Sequence, residues 1–560
     1  MIGVISKPDQ RGVVEEFFEL FKTPWEFHIP GRTYEVVLAT TGDVPEVDAR
    51  LLLLYGAEPK NVDQFSDIVI RSKHHGGTLD HENVTLPIYG ELATFEKNNQ
   101  CQPYIEMPFG IVSLRMTAAN GTIAIRFGFD LIQEIKFLFT LGQPPEWAHV
   151  PTLDLHIEML RNSILAEKIP ILEIPPVPSG YSFAVCLTHD IDFIGIRQHF
   201  FDHTMFGFLY RSTIGAVRNF LRGRLSLSRF VGGLRSAVSL PFVYLGWARD
   251  FWSPFEWYLR VERNLPATYY LIPFKRTIGD HVSGPHASRR ATAYDVSDLP
   301  NWTPILQREG CELGVHGIDA WHSVEKARAE LNRIAAVTGE NKVGIRMHWL
   351  MQNTNTVSVL EEAGYEYDST AGYNETTGYR NGTSQVFRPL GARTLLELPV
   401  HVQDGTLFYP NRLDLSEAQA DKRCKDLIAN NQRFGGVLTV IWHDRSHGPE
   451  RFWGDFYVGL VQTLKSSGGW FATGAQAVHW FRKRRQVHFE RLETGEGVRV
   501  APHCDGGMDL PSMRLRVYGP FDSTNRTELS GEAAFNFADF PWNAKESVAY
   551  DACSITSPND

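Results

Sequence analysis

Six short apolar runs in the middle of this chain end in residues that can hold a metal or move a proton. The first closes on Thr188-His189-Asp190-Ile191-Asp192 and another on His316. A third contains Arg346 and ends in His348-Trp349. Asp368-Ser369 ends a fourth, His401 and Asp404 follow a fifth, and His443-Asp444-Arg445 closes the last. Carboxylates, imidazoles and a guanidinium together suit amide hydrolysis. That reaction needs an activated water, a polarised carbonyl and a proton for the departing nitrogen. A divalent ion supplies the first two, as a Lewis acid that lowers the pKa of water. A carboxylate and an imidazole can take and return the proton. Any one of these residues could be a solvated loop charge, but six of eight run ends share the pattern. No Gly-rich phosphate loop, Gly-x-Ser-x-Gly elbow or HExxH run occurs, so nucleotide hydrolysis, serine esterase and zincin chemistry lack support.

The elements that position these residues alternate. Eight apolar or β-branched runs are each followed by a polar or Gly-containing turn and then helical patterning. They are Phe183–Leu187, Ala267–Leu271, Cys311–Val315, Val343–Met347, Tyr365–Asp368, Leu395–Val400, Val437–Trp442 and Trp470–Thr473. Strands alternating with helices imply a parallel sheet. About eight units in roughly 300 residues suit a (β/α) barrel of seven or eight strands. An open doubly wound sheet is the alternative. In a barrel all the C-terminal strand ends open onto one face, where active sites of such folds are built.

The motifs resemble those of the polysaccharide deacetylase family (nodulation-type chitooligosaccharide deacetylase homology), over about residues 180–485. That family carries two acids after its first barrel strand, and Asp190 and Asp192 stand there, separated by Ile191. The resemblance implies Asp190 as general base and Asp192 as a metal ligand. The second motif supplies two histidines, usually four apart. His316 matches the first, but Ala320 holds the second place, leaving His322, Asp319 and His348 as candidates for the third ligand. With His322 taken as that ligand, the set is Asp192, His316 and His322. Three protein ligands leave room for a water. Arg346 fits the third motif and would orient Asp190. His443 fits the fifth and would protonate the leaving amine, with Asp444 tuning it or capping the next helix. His348, Trp349, Asp368, Trp321 and Asp444 are expected to face the substrate. The implied activity is removal of an N-acyl group from an amino sugar in a polysaccharide or glycan precursor. The implied cofactor is a divalent metal, zinc first, with cobalt, nickel or iron as options. Hydrolysis of another C–N bond, in a ureide or cyclic amide, and a catalytically silent glycan-binding protein are the other readings.

The remaining features set the surroundings. The chain has 560 residues, 43% apolar and 21% charged. Residues 1–150 read as an accessory α/β domain, 180–485 as the barrel and 486–560 as a small β-rich appendage. In the first region strands are expected at Val36–Leu38, Arg50–Tyr55 and Thr122–Phe127, and a helix near Leu131–Leu141. A net charge of −10 argues against a nucleic-acid binder. The six cysteines, among them Cys504 and Cys553, form no CxxC pair. The first residues, MIGVISKPDQ, lack a basic region followed by an apolar stretch, so a cytoplasmic location is expected. One segment stands apart. From Phe193 to Arg249 there are eight Arg, one Asp and no Lys or Glu, interleaved with Phe, Leu, Tyr and Trp. A basic amphipathic insertion of this kind is expected to form a lid near the barrel mouth. It would dock on an anionic membrane surface or a lipid-linked glycan precursor, through residues such as Arg218, Arg222, Arg224 and Arg229.

Overall fold

The structure, a computed structural model, describes residues 1–560 apart from 82–83, 119–120, 224, 285–286, 493–496, 502–509, 520–535, 543–547 and 552–560. Arg224, Cys504 and Cys553 therefore lie outside the described residues.

All eight apolar runs of the middle region become strands of one sheet, every pair of which is parallel. In spatial order seven of them run Leu396–Glu397, Tyr367–Asp368, Ile345–Met347, Glu312–Gly317, Ala267–Leu271, Phe183–Ile191 and Val437–Ile441, followed by a further strand, Val402–Gln403. Gly469–Phe471 pairs with the start of Phe183–Ile191. The two outermost members, Leu396–Glu397 and Val402–Gln403, are parts of one stretch of chain. Leu398 N donates to Asp368 O (2.8 Å) and His401 N to Thr439 O (3.1 Å). One extended segment is thus bonded to a different strand on each side, and the sheet curls into an α/β barrel instead of lying open.

Alternation along the strands sorts the side chains. Phe183, Val185, Leu187 and Ile191 pack outward under the helices, while Ala184 and Cys186 join Tyr270, Tyr367 and Leu398 inside. This is the period of two that a strand imposes. The interior is filled, as barrel interiors are. Gly344 makes room for one of its rings: a Cβ there would fall 2.2 Å from Tyr367.

Residues before the barrel form a nine-stranded mixed sheet with helices Arg11–Phe21, Leu131–Thr140 and Thr152–Ala166. The expected strands and the helix at 131 are present, the helix capped by Asp130, which accepts from Ile132 N and Gln133 N. The core of this unit continues through Ile164 to Ile171, past the expected boundary at 150. The C-terminal strands form two three-stranded sheets, one of which includes Ile171–Glu173.

The Arg-rich segment folds into helices His203–Tyr210, Ala216–Leu221 and Leu227–Tyr244, the first two joined by a π-turn at Arg211–Gly215. A small core of Ile196, Met205, Phe208, Leu240, Val243 and Trp252 holds it together.

Candidate active site

Residues two apart on a strand share a face. Ile191 is fully buried on the outer face, and its place between the two acids lets both Asp190 and Asp192 face inward. The same spacing relates Arg346 to His348. Arg346 is completely buried and its guanidinium is spent on the barrel floor. Nη1 donates to Asp190 Oδ1 and Thr188 Oγ1, both at 2.8 Å. Nε and Nη2 donate to Ser369 O (2.9 Å) and Ser369 Oγ (2.8 Å), and the group lies 4.3 Å over the Tyr270 ring. Burial works against charge on Asp190, but Arg346, His316 and His443 outweigh it and hold the carboxyl below its ordinary value.

Above this pair Asp192, His316 and His348 bring three ligand atoms within 4.8 Å of one another. Asp192 Oδ1 lies 3.5 Å from His316 Nε2 and 3.4 Å from His348 Nε2. His316 Nδ1 donates to Arg346 O at 3.0 Å. A carbonyl can only accept, so Nδ1 carries a proton and Nε2 is the atom turned toward Asp192, the arrangement that orients metal-ligating histidines. Burial pushes His348 down to about 3, which keeps its ring neutral. Asp192 Oδ1 is buried without a hydrogen-bond partner, an orphan that a cation would satisfy. One carboxylate and two imidazoles with space beside them fit a divalent ion of the zinc type.

His443 faces this group from the end of Val437–Ile441. Its Nδ1 lies 2.5 Å from Asp404 Oδ1, and its backbone N donates to Asp404 Oδ2 at 2.8 Å. Asp404 is fully buried and also accepts from Ser446 Oγ. Burial disfavours the charged ring, yet Asp404, Asp190 and Asp192 together push its pKa up to about 10. Tyr258 Oη donates to His443 O (2.8 Å) and steadies the backbone from behind.

Several expectations change. His322 stands apart from Asp192 and His316; it lies 3.3 Å from Asp319, in a second cluster with Asp280, and Lys326 pairs with both of those carboxylates. His348, not His322, is the histidine that comes together with Asp192 and His316. Asp444 serves Asp192, whose backbone N it accepts (3.2 Å), while Asp404 holds His443. Asp368 is buried outside the cavity beside Glu397 and accepts from Thr370 Oγ1 (2.5 Å). Burial pushes it up to about 6. Trp321 packs edge-to-face against His281 and His322 and is not among the residues lining the cavity. Trp349 is, half-exposed at the mouth, with φ +65°. A non-glycine residue held in the left-handed region at a binding cleft is stored strain of the sort functional sites use.

Asp190, Asp192, His316, His348 and His443 all line one cavity of about 980 Å³. The insertion supplies part of its wall through Phe193, His203, Thr204 and Arg211. Sequence reasoning missed Arg451 as a wall residue and marked Arg445 only as a strand end. Asp404 it marked only as a strand end, and nothing local tied it to His443, 39 positions away.

No family model matches the chain, and no curated protein matches it in sequence. Solved structures similar to it include one described as a polysaccharide deacetylase from Mycobacterium smegmatis, 19% identical, covering 55% of this chain and 95% of that one, with a TM-score of 0.32. The Puue allantoinase is 15% identical over 55% of this chain and 93% of its own, with a TM-score of 0.34. A structure described as a polysaccharide deacetylase from Pseudomonas aeruginosa PAO1 is 16% identical over 55% and 94%, with a TM-score of 0.33. Superposition scores this low leave the site's own geometry to decide what the chain does.

Proposed function

We propose that the chain is a metal-dependent hydrolase that removes an N-acyl group, acetyl first, from an amino sugar in a glycan. One observation carries this reading: a buried Asp190–Arg346 pair, an Asp192–His316–His348 trio and a carboxylate-backed His443 converge on one cavity. A divalent ion in the trio would polarise the amide carbonyl and acidify water. Asp190, ionised and held in place by Arg346, accepts the proton of the attacking water. His443, charged at neutral pH, donates a proton to the nitrogen as the C–N bond breaks. Asp404 fixes the His443 ring so that Nε2 faces the cavity. Trp349 offers an exposed ring against which a sugar face can pack. A cavity of about 980 Å³ favours a glycan over a compact ureide.

The insertion is read as a membrane-facing lid. Among the described residues, thirteen of the twenty-one exposed large apolar side chains lie between Phe200 and Trp247. Arg218, Arg222 and Arg235 are exposed beside them and have no ion-pair partner among the described residues. Arg229, by contrast, is engaged by Glu417 and Asp455. An apolar face rimmed by unpaired guanidiniums suits an anionic lipid surface. No helix among the described residues is long and apolar enough to cross a membrane.

The deciding experiment is acetate release from chitin oligosaccharides by purified protein reloaded with zinc, cobalt, nickel or iron, alongside metal analysis. Turnover with about one bound ion per chain is expected. Less than stoichiometric metal after repletion, with no acetate released, would overturn the reading.

A further inference from the structure

Part of the wall of the cavity that holds the metal trio is strongly basic. Arg211 from the insertion meets Arg445 and Arg451 from the loop after His443, and all three line the cavity. One carboxylate, Glu450, lies within ion-pair reach of this group among the described residues, 3.7 Å from Arg211. Glu450 is itself tied down by Trp252 Nε1, which donates to it at 3.1 Å. Arg445 and Arg451 have no ion-pair partner among the described residues, and the Nε atoms of Arg211 and Arg451 are buried without a hydrogen bond.

Aromatic rings hold two of these guanidiniums in place. Arg445 lies 3.6 Å over Phe193 and 5.0 Å from the Trp252 ring centre, and Arg451 lies 5.1 Å from both Tyr409 and Trp453. Burial and the neighbouring Arg451 both work against charge on Arg445 and on Arg211. Three neighbouring cations, of which only Arg211 has a carboxylate within ion-pair reach, are costly to bury unless an anion joins them. Asp444 and Asp404 act on Arg445 and Arg451 from a distance, but neither is in ion-pair contact with them, so the three forks are left to face the cavity. Guanidinium forks bind phosphate oxygens in pairs.

We infer that Arg211, Arg445 and Arg451 form a phosphate subsite, so that the substrate is a phosphorylated N-acyl amino sugar. This rests on the hydrolase reading for the sugar but not for the anion. The phosphate can belong to a soluble sugar phosphate or to a lipid-linked one. The second source has a place to go: an apolar groove of about 560 Å³, lined by Ile214, Val217, Leu221 and Leu234, starts one turn beyond Arg211.

Calorimetry on the full chain tests this, with N-acetylglucosamine 1-phosphate and N-acetylglucosamine as probes. Runs with chelator present remove any contribution of a bound metal to phosphate binding. The phosphorylated sugar is expected to bind at least ~10-fold more tightly, as each lost charge-assisted contact is worth about 1.5–3 kcal/mol. Arg445→Gln and Arg451→Gln should each erase most of that preference, and Arg445→Lys should retain part of it. Melting curves establish that the variants are folded. If one does not fold, displacement of the sugar phosphate by inorganic pyrophosphate from the unaltered chain gives the same information. Equal binding of the two sugars, or a preference untouched by both glutamine substitutions, overturns the inference. Displacement by dodecyl phosphate well below the concentration of inorganic phosphate required marks a lipid-borne ligand; parity marks a soluble one. Acetate release from neutral chitin oligosaccharides is scored separately, so either reading can fail while the other stands.

Discussion

Asp404 grips His443 at two points, the ring Nδ1 at 2.5 Å and the backbone N at 2.8 Å. The carboxylate comes from the end of the segment that closes the barrel, and the imidazole from the strand beside it. That contact sets both the direction of the ring and its proton affinity, and the pH dependence follows from it.

His443 must be protonated to act as an acid. Its pKa, pushed up to about 10, keeps it charged through neutral pH, and activity is lost as pH rises through that value. Asp404→Asn removes the main raising charge. The alkaline limb of kcat/KM should then move down toward the ordinary imidazole value of about 6.5. A limb that stays in place in the variant would assign the acid elsewhere.

His348 and His322 give opposite expectations for metal. His348→Ala should abolish stoichiometric binding of zinc or cobalt. The activity loss should exceed the roughly 10–100-fold typical of removing an outer hydrogen-bond partner of a ligand. His322→Ala should leave metal content unchanged. Mass-spectrometric metal analysis of the two purified variants separates them, and loss of metal in the second alone would restore the spacing-based ligand set.

Arg346→Met leaves the Asp190 carboxylate buried without its partner. Breaking a buried pair in this way costs about 3–5 kcal/mol. Thermal unfolding should show a large fall in Tm together with loss of turnover. Asp190→Asn in the Arg346→Met background should recover part of the stability but none of the activity.

Replacing Arg218, Arg222 and Arg235 together by Gln should release the chain from anionic vesicles. Each contributes roughly 1 kcal/mol near such a surface, so the partition coefficient should drop roughly 100-fold. Flotation assays with and without anionic lipid measure it; undiminished binding would remove the insertion from the membrane.

The barrel was legible in the sequence because its strands are buried on both faces and read as unbroken apolar runs, such as Val437–Ile441. The functional residues were legible because they close those runs. His322 lies with Asp319 and not with His316, since a spacing of six in a loop does not determine direction. His348 was better placed, two residues from Arg346 and therefore on its face. Asp404 could not be paired with His443 from sequence, since their meeting depends on which strand closes the sheet. In the N-terminal unit the long hairpin of Ile70–His81 with Val84–Phe95 was not anticipated. Its first strand, rich in His, Gly and charge, lacks the apolar alternation that marks a half-buried strand.

The segment from Leu396 to Gln403 is shared between two edges of the sheet, and Asp404 follows it directly. Asp190, Asp192, His316 and His348 hang from strands on the far side of that join, and His443 from the strand next to it. If the seam slackens, base and metal ligands keep their places while the imidazole loses its counter-charge. Whether the ring keeps its proton is therefore coupled to whether the barrel is shut, and a ligand that tightens the mouth also holds His443 in its charged form.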